Sequence, residues 1–481
     1  MKAMIEAIAV TLEKWLGSAG DSGLQAYLVG GSVRDLLLGH APKDLDLVCR
    51  NAKEAAAHIA RRTNASLVPM EKKPDEPCYR VVDRMIPDSY IDLAEMRGRD
   101  IGEDLGNRDF TINAMAIEIR AGLPAGELID PLQGAEDLRV KKVRMASGRA
   151  LVSDPLRILR AVRHAAQLNF SIDERTLEEM RARAGLLACV SAERILAELL
   201  LILGSERAAL SFRRMDELGI LPVLFPEIVA MKACGQNGYH HRDVWGHSLL
   251  VMETVEHILN DLPAYFGDSS REVANTLTSG QMPLLKLAAM FHDVGKPVTK
   301  GLRPDKRITF YGHDKAGAGI VQHIAGRLRM PNRSGDLMMR IVREHLKPLV
   351  LSRSGTREIS RLRWFRRLRD DVVPVLILGM ADIMSSLGPD SGAEYRMSVI
   401  AWVQESMHSY FTALKQKIVA PLLVTGDDLI SMGMEPGVGL GNLLSRLRLA
   451  QDIGKITSRE EALRLARELM NKRSEGGKRR S

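Results

Sequence analysis

Aromatic residues make up only 4% of this 481-residue chain, and cysteine occurs four times, at Cys49, Cys78, Cys189 and Cys234. With few aromatics and plentiful Leu, Ala, Met and Arg, a helix-rich fold is expected, since straight-chain residues lose little rotamer freedom in a helix. The cysteines form no Cys-x-x-Cys pair. That favours reduced, buried thiols over a disulfide framework or a cysteine-based zinc module. Long apolar runs are missing too: stretches such as Val375 to Ala381 fall short of the ~18 residues that a membrane span needs. The N-terminal apolar stretch is broken by Glu6 and Glu13, so it reads as an amphipathic helix and not a signal peptide. A cytoplasmic protein with no membrane contact is expected; oligomeric state is not legible.

What is present is ordinary globular material, 45% hydrophobic and 27% charged, enough for two to four domains at ~100–200 residues each. The net charge of +8 suits a polyanionic partner. Short β-rich runs (26–29, 44–48, 79–82, 90–93, 114–119) mixed with helical stretches predict an α/β head over residues 1–150. After Asp154 the apolar residues recur at i, i+3, i+4 and i+7, the helical period, over 156–167, 175–184 and 192–203. We expect a helical segment over 151–230, a second helical domain over 231–400 and a tail over 401–481 whose basic end, from Asn471, is disordered. Loops are expected at 234–238, 304–307 and 386–393.

One stretch carries most of the chemistry. A predicted strand ending at Val29 runs into Gly30, Gly31 and Ser32 and then into a helix bearing Arg34; Asp44 and Asp46 follow on the next strand. Glycines let backbone approach a phosphate, and a helix start presents N–H groups to an anion, with Arg34 adding a charged contact. Asp44 and Asp46 are two apart, so a strand aims both to one face. Paired carboxylates repel unless a cation sits between them, and Mg²⁺ prefers such oxygen ligands. Two ions of this kind clamp the entering and leaving oxygens of an in-line displacement. Asp92, with Asp83 as its rival, is the candidate third carboxylate, able to take a proton from an attacking hydroxyl.

These residues resemble the tRNA nucleotidyltransferases and bacterial poly(A) polymerases of the polymerase-β-like superfamily. Further motifs extend the resemblance. Arg108, Asp109 and Asn113 lie in a segment similar to the family's ribose-reading motif, and 130–138 is similar to its hinge. Asp154, Arg157, Arg160 and Arg163 match its nucleotide template. The resemblance implies an α+β chain: a polymerase-β-like head with a mixed sheet, then an all-α neck, body and tail. It implies addition of C, as CC or CCA, to tRNA 3′ ends from CTP and ATP with Mg²⁺, releasing pyrophosphate. In the template, a carboxylate accepts from cytosine N4 or adenine N6 while a guanidinium donates to the ring. Uracil and guanine present the opposite pattern, so an Asp–Arg pair can select C and A.

The chain also departs from the family's pattern. Asn107 replaces a usual Arg, and Ser153 a usual Glu before the template Asp, so Arg157 is expected to be held less firmly. Residues 98–107 alone separate Arg97 from Arg108, where full CCA-adding members carry a longer flexible loop; this resembles members that add only CC. A poly(A) polymerase remains an alternative, although the basic segment typical after the Asp-x-Asp strand is missing.

The helical part carries His247, His292-Asp293, His313, His345 and Asp382. Imidazoles completed by carboxylates suit Ni, Mn, Fe or Zn, and such an ion can activate water against a phosphoester. The arrangement resembles an HD phosphohydrolase domain. His247, His292, Asp293 and Asp382 match its minimal ligands, His313 and His345 its optional ones, and Lys296 its phosphate contact. The implied activity is hydrolysis of 2′,3′-cyclic or 2′-phosphate ends. A hydrolase whose head only grips RNA, and a non-catalytic RNA-binding protein, stay open as alternatives. Arg353, Arg357, Arg361, Arg363, Arg366, Arg367 and Arg369 are read either as tRNA contacts or as a salt-bridged helix face.

Overall fold

The computed structural model describes residues 12–17, 25–42, 44–70, 77–120, 123–124, 127–236, 242–277, 280–353, 358–388 and 392–477. The chain divides into two compact units, Met1–Pro226 and Glu227–Ser481. Glu6, Lys43, Arg357, residues 237–238 of the expected loop and the basic end 478–481 lie outside the described residues.

In the first unit, β1 (Ala26–Val29), β2 (Leu45–Cys49), β3 (Ser66–Met70), β4 (Cys78–Val82), β5 (Tyr90–Glu95), β6 (Ala116–Arg120) and β7 (Leu123–Pro124) form one mixed sheet. Its order is β3-β4-β5-β2-β1-β6-β7. β2 and β5 are parallel and the other neighbours antiparallel. A parallel pair needs a crossover, here the helix Ala52–Arg62 followed by β3 and β4. That helix packs on β4 and β5, over the face where Leu45, Leu47, Val81, Ile91 and Leu93 are buried.

The opposite face carries the acidic residues. Asp46 pairs with Asp92, and Asp92 with Arg80, in the strand register, so all three side chains point the same way. Further along that face Tyr27, Val29, Val48 and Ala116 form a cluster with Leu105, which the helix Ile101–Gly106 supplies. The sequence predicts five of these strands. β3 escapes because its Pro69 removes a ladder donor and argues against a strand; as an edge strand it tolerates the proline. Asp44, expected on the strand, lies one residue before it.

The helices Arg157–Leu168, Glu174–Arg183 and Ala192–Leu203 follow, within a residue of their predicted limits. In the second unit, Val244–Asn260, Gln281–Phe291, His313–Arg327, Asn332–Glu344 and Val372–Ser385 pack into a bundle. A separate small core of Val424, Leu429, Leu443, Leu447, Ile456, Ala462 and Ala466 holds the C-terminal helices.

Two expectations change here, and one open reading is narrowed. The end of the tail is not disordered from Asn471: the helix Arg459–Gly477 continues through it, because Lys472, Arg473 and Glu475 are good helix formers. Cys49 and Cys234 are buried as expected, but Cys189 is exposed. The arginine-rich helix Glu358–Leu368 is largely a salt-bridged face. Arg361 pairs with Glu405, Arg366 with Asp452 and Arg367 with Glu344, and Trp364 and Phe365 are buried. No described helix is long and apolar enough to cross a membrane.

Candidate active site and metal centre

The turn between β1 and the helix Gly31–Leu37 is pinned to β2 by one hydroxyl. Ser32 Oγ donates to the Asp44 carbonyl and accepts from the Asp46 amide, both at 2.9 Å. Gly30 has φ 67°, a left-handed conformation that glycine adopts without strain. A Cβ there would lie 3.0 Å from Arg108 Nη1 and 3.8 Å from Asp46 Oδ2. The glycine thus opens a cradle with a guanidinium on one side and a carboxylate on the other. Asp44 is exposed and accepts from the Tyr90 hydroxyl; Arg80 stacks 3.9 Å from the centre of that Tyr90 ring. The carboxylates offer oxygen only, a donor set that suits a hard divalent cation.

Asp92, the candidate third carboxylate, lies beside Asp46 on the same face of the sheet and is paired. Both its oxygens accept from Arg80, at 2.8 Å each, because antiparallel β4 places that arginine directly opposite it. Its rival Asp83 serves a turn, accepting from Lys14 and from the amides of Met85 and Ile86.

A buried network ties this cradle to the neck. Arg34 donates to Asn113 Oδ1 at 2.9 Å, and Asn113 donates to Asp109 at 3.1 Å. Asp109 meets Arg160 at 2.6 Å, and Arg163 meets Glu198 at 3.1 Å. Burial alone would raise the Asp109 carboxyl; the Arg160 guanidinium overrides it and holds the group well below the usual carboxylate range. His164, Glu198 and Arg194 were not singled out from sequence; only their helical spacing from Arg160 and from each other would have flagged them.

His164 Nε2 faces two donors, Asn113 Nδ2 at 3.3 Å and Arg163 Nη2 at 3.2 Å. It must therefore accept, with the ring proton on Nδ1. Burial, then Arg163, push its pKa well below the ordinary histidine value. The unfolded chain takes up a proton near pH ~6.5 that the folded chain refuses. The stability this histidine contributes is thus complete above that pH and is lost as pH falls below it. Melting temperatures at pH 7.5 and 5.0 should fall further for the parent than for His164→Gln, which keeps an acceptor; equal falls would refute the assignment.

Asp154 and Arg157 of the template are both buried, at 6% and 7% exposure. Asp154 Oδ2 accepts from Arg194 at 2.8 Å. Arg157 donates to the carbonyls of Asn107 at 3.0 Å and of Arg108 and Ala150 at 3.2 Å, and to Ser153 Oγ at 3.4 Å. The expectation of a loosely held Arg157 is thereby corrected: three carbonyls fix it where the family's Glu is missing. The ten residues before Arg108 form a tight unit. Asp100 caps the helix Ile101–Gly106, and buried Asp104 accepts from the Arg97 amide at 3.0 Å and from Arg108 Nη2 at 3.0 Å.

The second unit converges six side chains from five helices or their ends. His247 Nε2 lies 3.0 Å from Asp382 Oδ1 and 3.8 Å from Asp293 Oδ2. His292 Nε2 is 3.2 Å from Asp293 Oδ2, and His313 Nε2 is 3.2 Å from Asp293 Oδ1. His345 Nε2 is 3.9 Å from that same oxygen. Two ligand sets share Asp293: one with His247 and His292, the other with His313 and His345, each within 4.8 Å. The rings are oriented by their far nitrogens. Nδ1 of His292, His313 and His345 bonds the carbonyls of Ala289, Phe310 and Val342 at 2.8, 2.7 and 2.6 Å. Each carbonyl fixes the Nδ1–H tautomer and turns an Nε2 lone pair inward. Those three Nε2 atoms are buried with no hydrogen-bond partner, an arrangement that fits a cation. Burial lowers His345 to about 4, keeping it neutral as a ligand must be.

Lys296 Nζ forms an ion pair with Asp293 Oδ2 and donates to Gln236 Oε1, both at 2.6 Å. Gln236 was not foreseen. Gly295 permits this packing: a Cβ there would stand 2.2 Å from the His313 carbonyl oxygen.

Comparison with known proteins agrees with this division of chemistry. The Poly A polymerase head domain matches residues 26–144, the probable RNA and SrmB-binding site of polymerase A residues 169–231, and the HD domain residues 244–387. The chain is 33% identical over 447 residues to a CC-adding tRNA nucleotidyltransferase of Thermus thermophilus, across 91% of this chain and 92% of that one. It is 30% identical over 445 residues to an A-adding tRNA nucleotidyltransferase of Deinococcus radiodurans, across 91% and 94%. Its fold matches the Thermotoga maritima CCA-adding enzyme complexed with tRNA at a TM-score of 0.61, with 23% identity and 98% of each chain covered.

Proposed function

Since the chain belongs to the tRNA nucleotidyltransferase family, we propose that it extends tRNA 3′ ends with two cytidylates from CTP, releasing pyrophosphate, and that its second unit hydrolyses phosphoesters. The observation that carries the first part is the joining of the Gly30–Ser32 turn to Asp44 and Asp46 through the Ser32 hydroxyl. In this reading Gly30 and Gly31 receive the triphosphate, with Arg34 and Arg108 contributing positive charge. Asp44 and Asp46 would hold Mg²⁺, which when bound stabilises charge on the transferring phosphoryl group. Tyr90 keeps Asp44 in place, while Arg80 and Asp92 brace the neighbouring strands. Asp109, Asn113, Arg160 and Arg163 set the ribose-facing wall, and Asp154 with Arg157 reads the base edge. The adjacency that supports this template role is the bond from Arg157 to the Arg108 carbonyl, since the Arg108 side chain borders Gly30.

What supports restriction to CC is the helix Ile101–Gly106. Its cap at Asp100 and its double tie through Asp104 leave no slack for a pocket that must enlarge from C to A. Transcripts ending at the discriminator base, at C and at CC, each given one nucleotide, should show efficient CTP use on the first two. ATP incorporation onto the CC end should be at least tenfold slower than CTP addition; comparable rates would refute the restriction.

The domain division at 1–150, 151–230, 231–400 and 401–481 is our reading, supported by the three profile matches. The HD centre would hold Ni, Mn, Fe or Zn on His247, His292, Asp293 and Asp382, with His313 and His345 for a second ion. The ion when bound would make water nucleophilic at neutral pH. Lys296 holds the shared carboxylate, and 2′-phosphate or 2′,3′-cyclic ends are the proposed substrates. A cytoplasmic location suits the tRNA substrate.

A further inference from the structure

One guanidinium crosses the row of carboxylates in the head. Asp46, Asp92 and Arg80 lie directly abreast on β2, β5 and β4, so their side chains share one face of the sheet. Arg80 engages both oxygens of Asp92, through Nε and Nη2 at 2.8 Å each. The same guanidinium stacks 3.9 Å from the centre of the Tyr90 ring, and the Tyr90 hydroxyl donates to Asp44. One arginine thus reaches two of the three acidic residues, Asp92 directly and Asp44 through a single ring. The pair is well shielded from solvent, the Asp92 side chain being 14% exposed and that of Arg80 26%. Hydrogen bonding to Asp92 raises the Arg80 guanidinium above its ordinary pKa, and the Asp44 charge adds to that shift. The backbone ladder already joins β4 to β5 over five residue pairs, so the ion pair has a consequence beyond bracing.

A fork that fills both oxygens of a carboxylate competes directly with a metal for them. A fixed positive charge on the same face also opposes the entry of a cation. Mg²⁺ is usually held by one or two carboxylates together with substrate phosphates. A triphosphate brings negative charge of its own and so offsets the arginine. We propose that Arg80 is a positioning residue that withholds Asp92 from the metal, so that the head holds its divalent cation firmly only together with the nucleotide. This rests on the reading of Asp44 and Asp46 as the Mg²⁺ ligands. Cation and triphosphate are then positively coupled, each raising the affinity of the other. Without Arg80 a third carboxylate joins the site, and the head binds the ion with no nucleotide present.

The test uses the full chain with Asp293→Asn throughout, which takes the histidine centre out of the count. Mn²⁺, which shares the oxygen preference of Mg²⁺, is titrated without nucleotide and followed by electron paramagnetic resonance. Arg80→Met should lower the Mn²⁺ Kd by at least ~tenfold. Arg80→Lys, which keeps the charge, should stay within about threefold of the parent. Adding Asp92→Asn to Arg80→Met should return the Kd to the parent's value or above it. During CTP incorporation at saturating CTP, half-saturating Mg²⁺ should differ by less than about threefold between the parent and Arg80→Met. A purely structural role predicts the opposite sign, since a loosened Tyr90 and Asp92 would raise the Kd. A Kd unchanged or raised in Arg80→Met overturns the proposal alone. So does a gain that Arg80→Lys shares, that survives Asp92→Asn, or that is as large with CTP present. Asp44→Ala/Asp46→Ala in the same background should lose the Mn²⁺ that the parent binds. If it binds Mn²⁺ as the parent does, the metal reading falls and this proposal with it.

Discussion

Alanine at both Asp44 and Asp46 should lower CTP incorporation by at least ~10³-fold, because the metal's charge stabilisation is worth several kcal/mol and each 1.36 kcal/mol is about tenfold in rate. Asp44 is exposed and Asp46 half-buried, so the double variant keeps its fold, and tRNA affinity by filter binding should change by less than about threefold. Phosphatase activity in the second unit should be untouched. Residual incorporation within tenfold of the parent would remove these carboxylates from the reaction and with them the polymerising role.

The second large effect is expected at Asp293. Its two oxygens serve both histidine sets, so one substitution reaches every ligand but Asp382. Asp293→Ala also strips Lys296 of its buried partner, a change that costs about 3–5 kcal/mol when one member of a buried pair is removed. Asp293→Asn separates the two consequences, because its amide oxygen still accepts from Lys296. Elemental analysis should find bound transition metal falling to near background in Asp293→Asn, with phosphatase activity lost and CTP incorporation unchanged. Metal content equal to the parent would show that the histidines do not form the binding site as described.

The chemistry-bearing residues were legible from sequence wherever their meaning is local. Gly30, Gly31, Ser32, Asp44 and Asp46 fall within seventeen positions, although Asp44 stops one residue short of the strand that periodicity gave it. His292-Asp293 announces itself as a pair. What sequence could not supply was register. Arg80 meets Asp92 only because β4 and β5 pair as they do, and no spacing rule links positions 80 and 92. Glu198 and Arg194 reach Arg163 and Asp154 from another helix for the same reason. The short segment before Arg108 was visible as a deletion, but its rigidity was not. Asp100 followed by Glu103 is close to an N-terminal capping signature and would have pointed to a helix in place of a loop. The tail was misjudged because two glycines outweighed the charged helix formers before them.

Arg157 grips the carbonyl of Asn107, the last residue of that short segment. An insertion or deletion between positions 98 and 107 therefore pulls on the guanidinium proposed to read the base, although no template residue changes. Nucleotide preference in such a scaffold can drift by altering the length of a connector, leaving the recognition side chains as they were. Two chains with identical templates then need not build the same terminus.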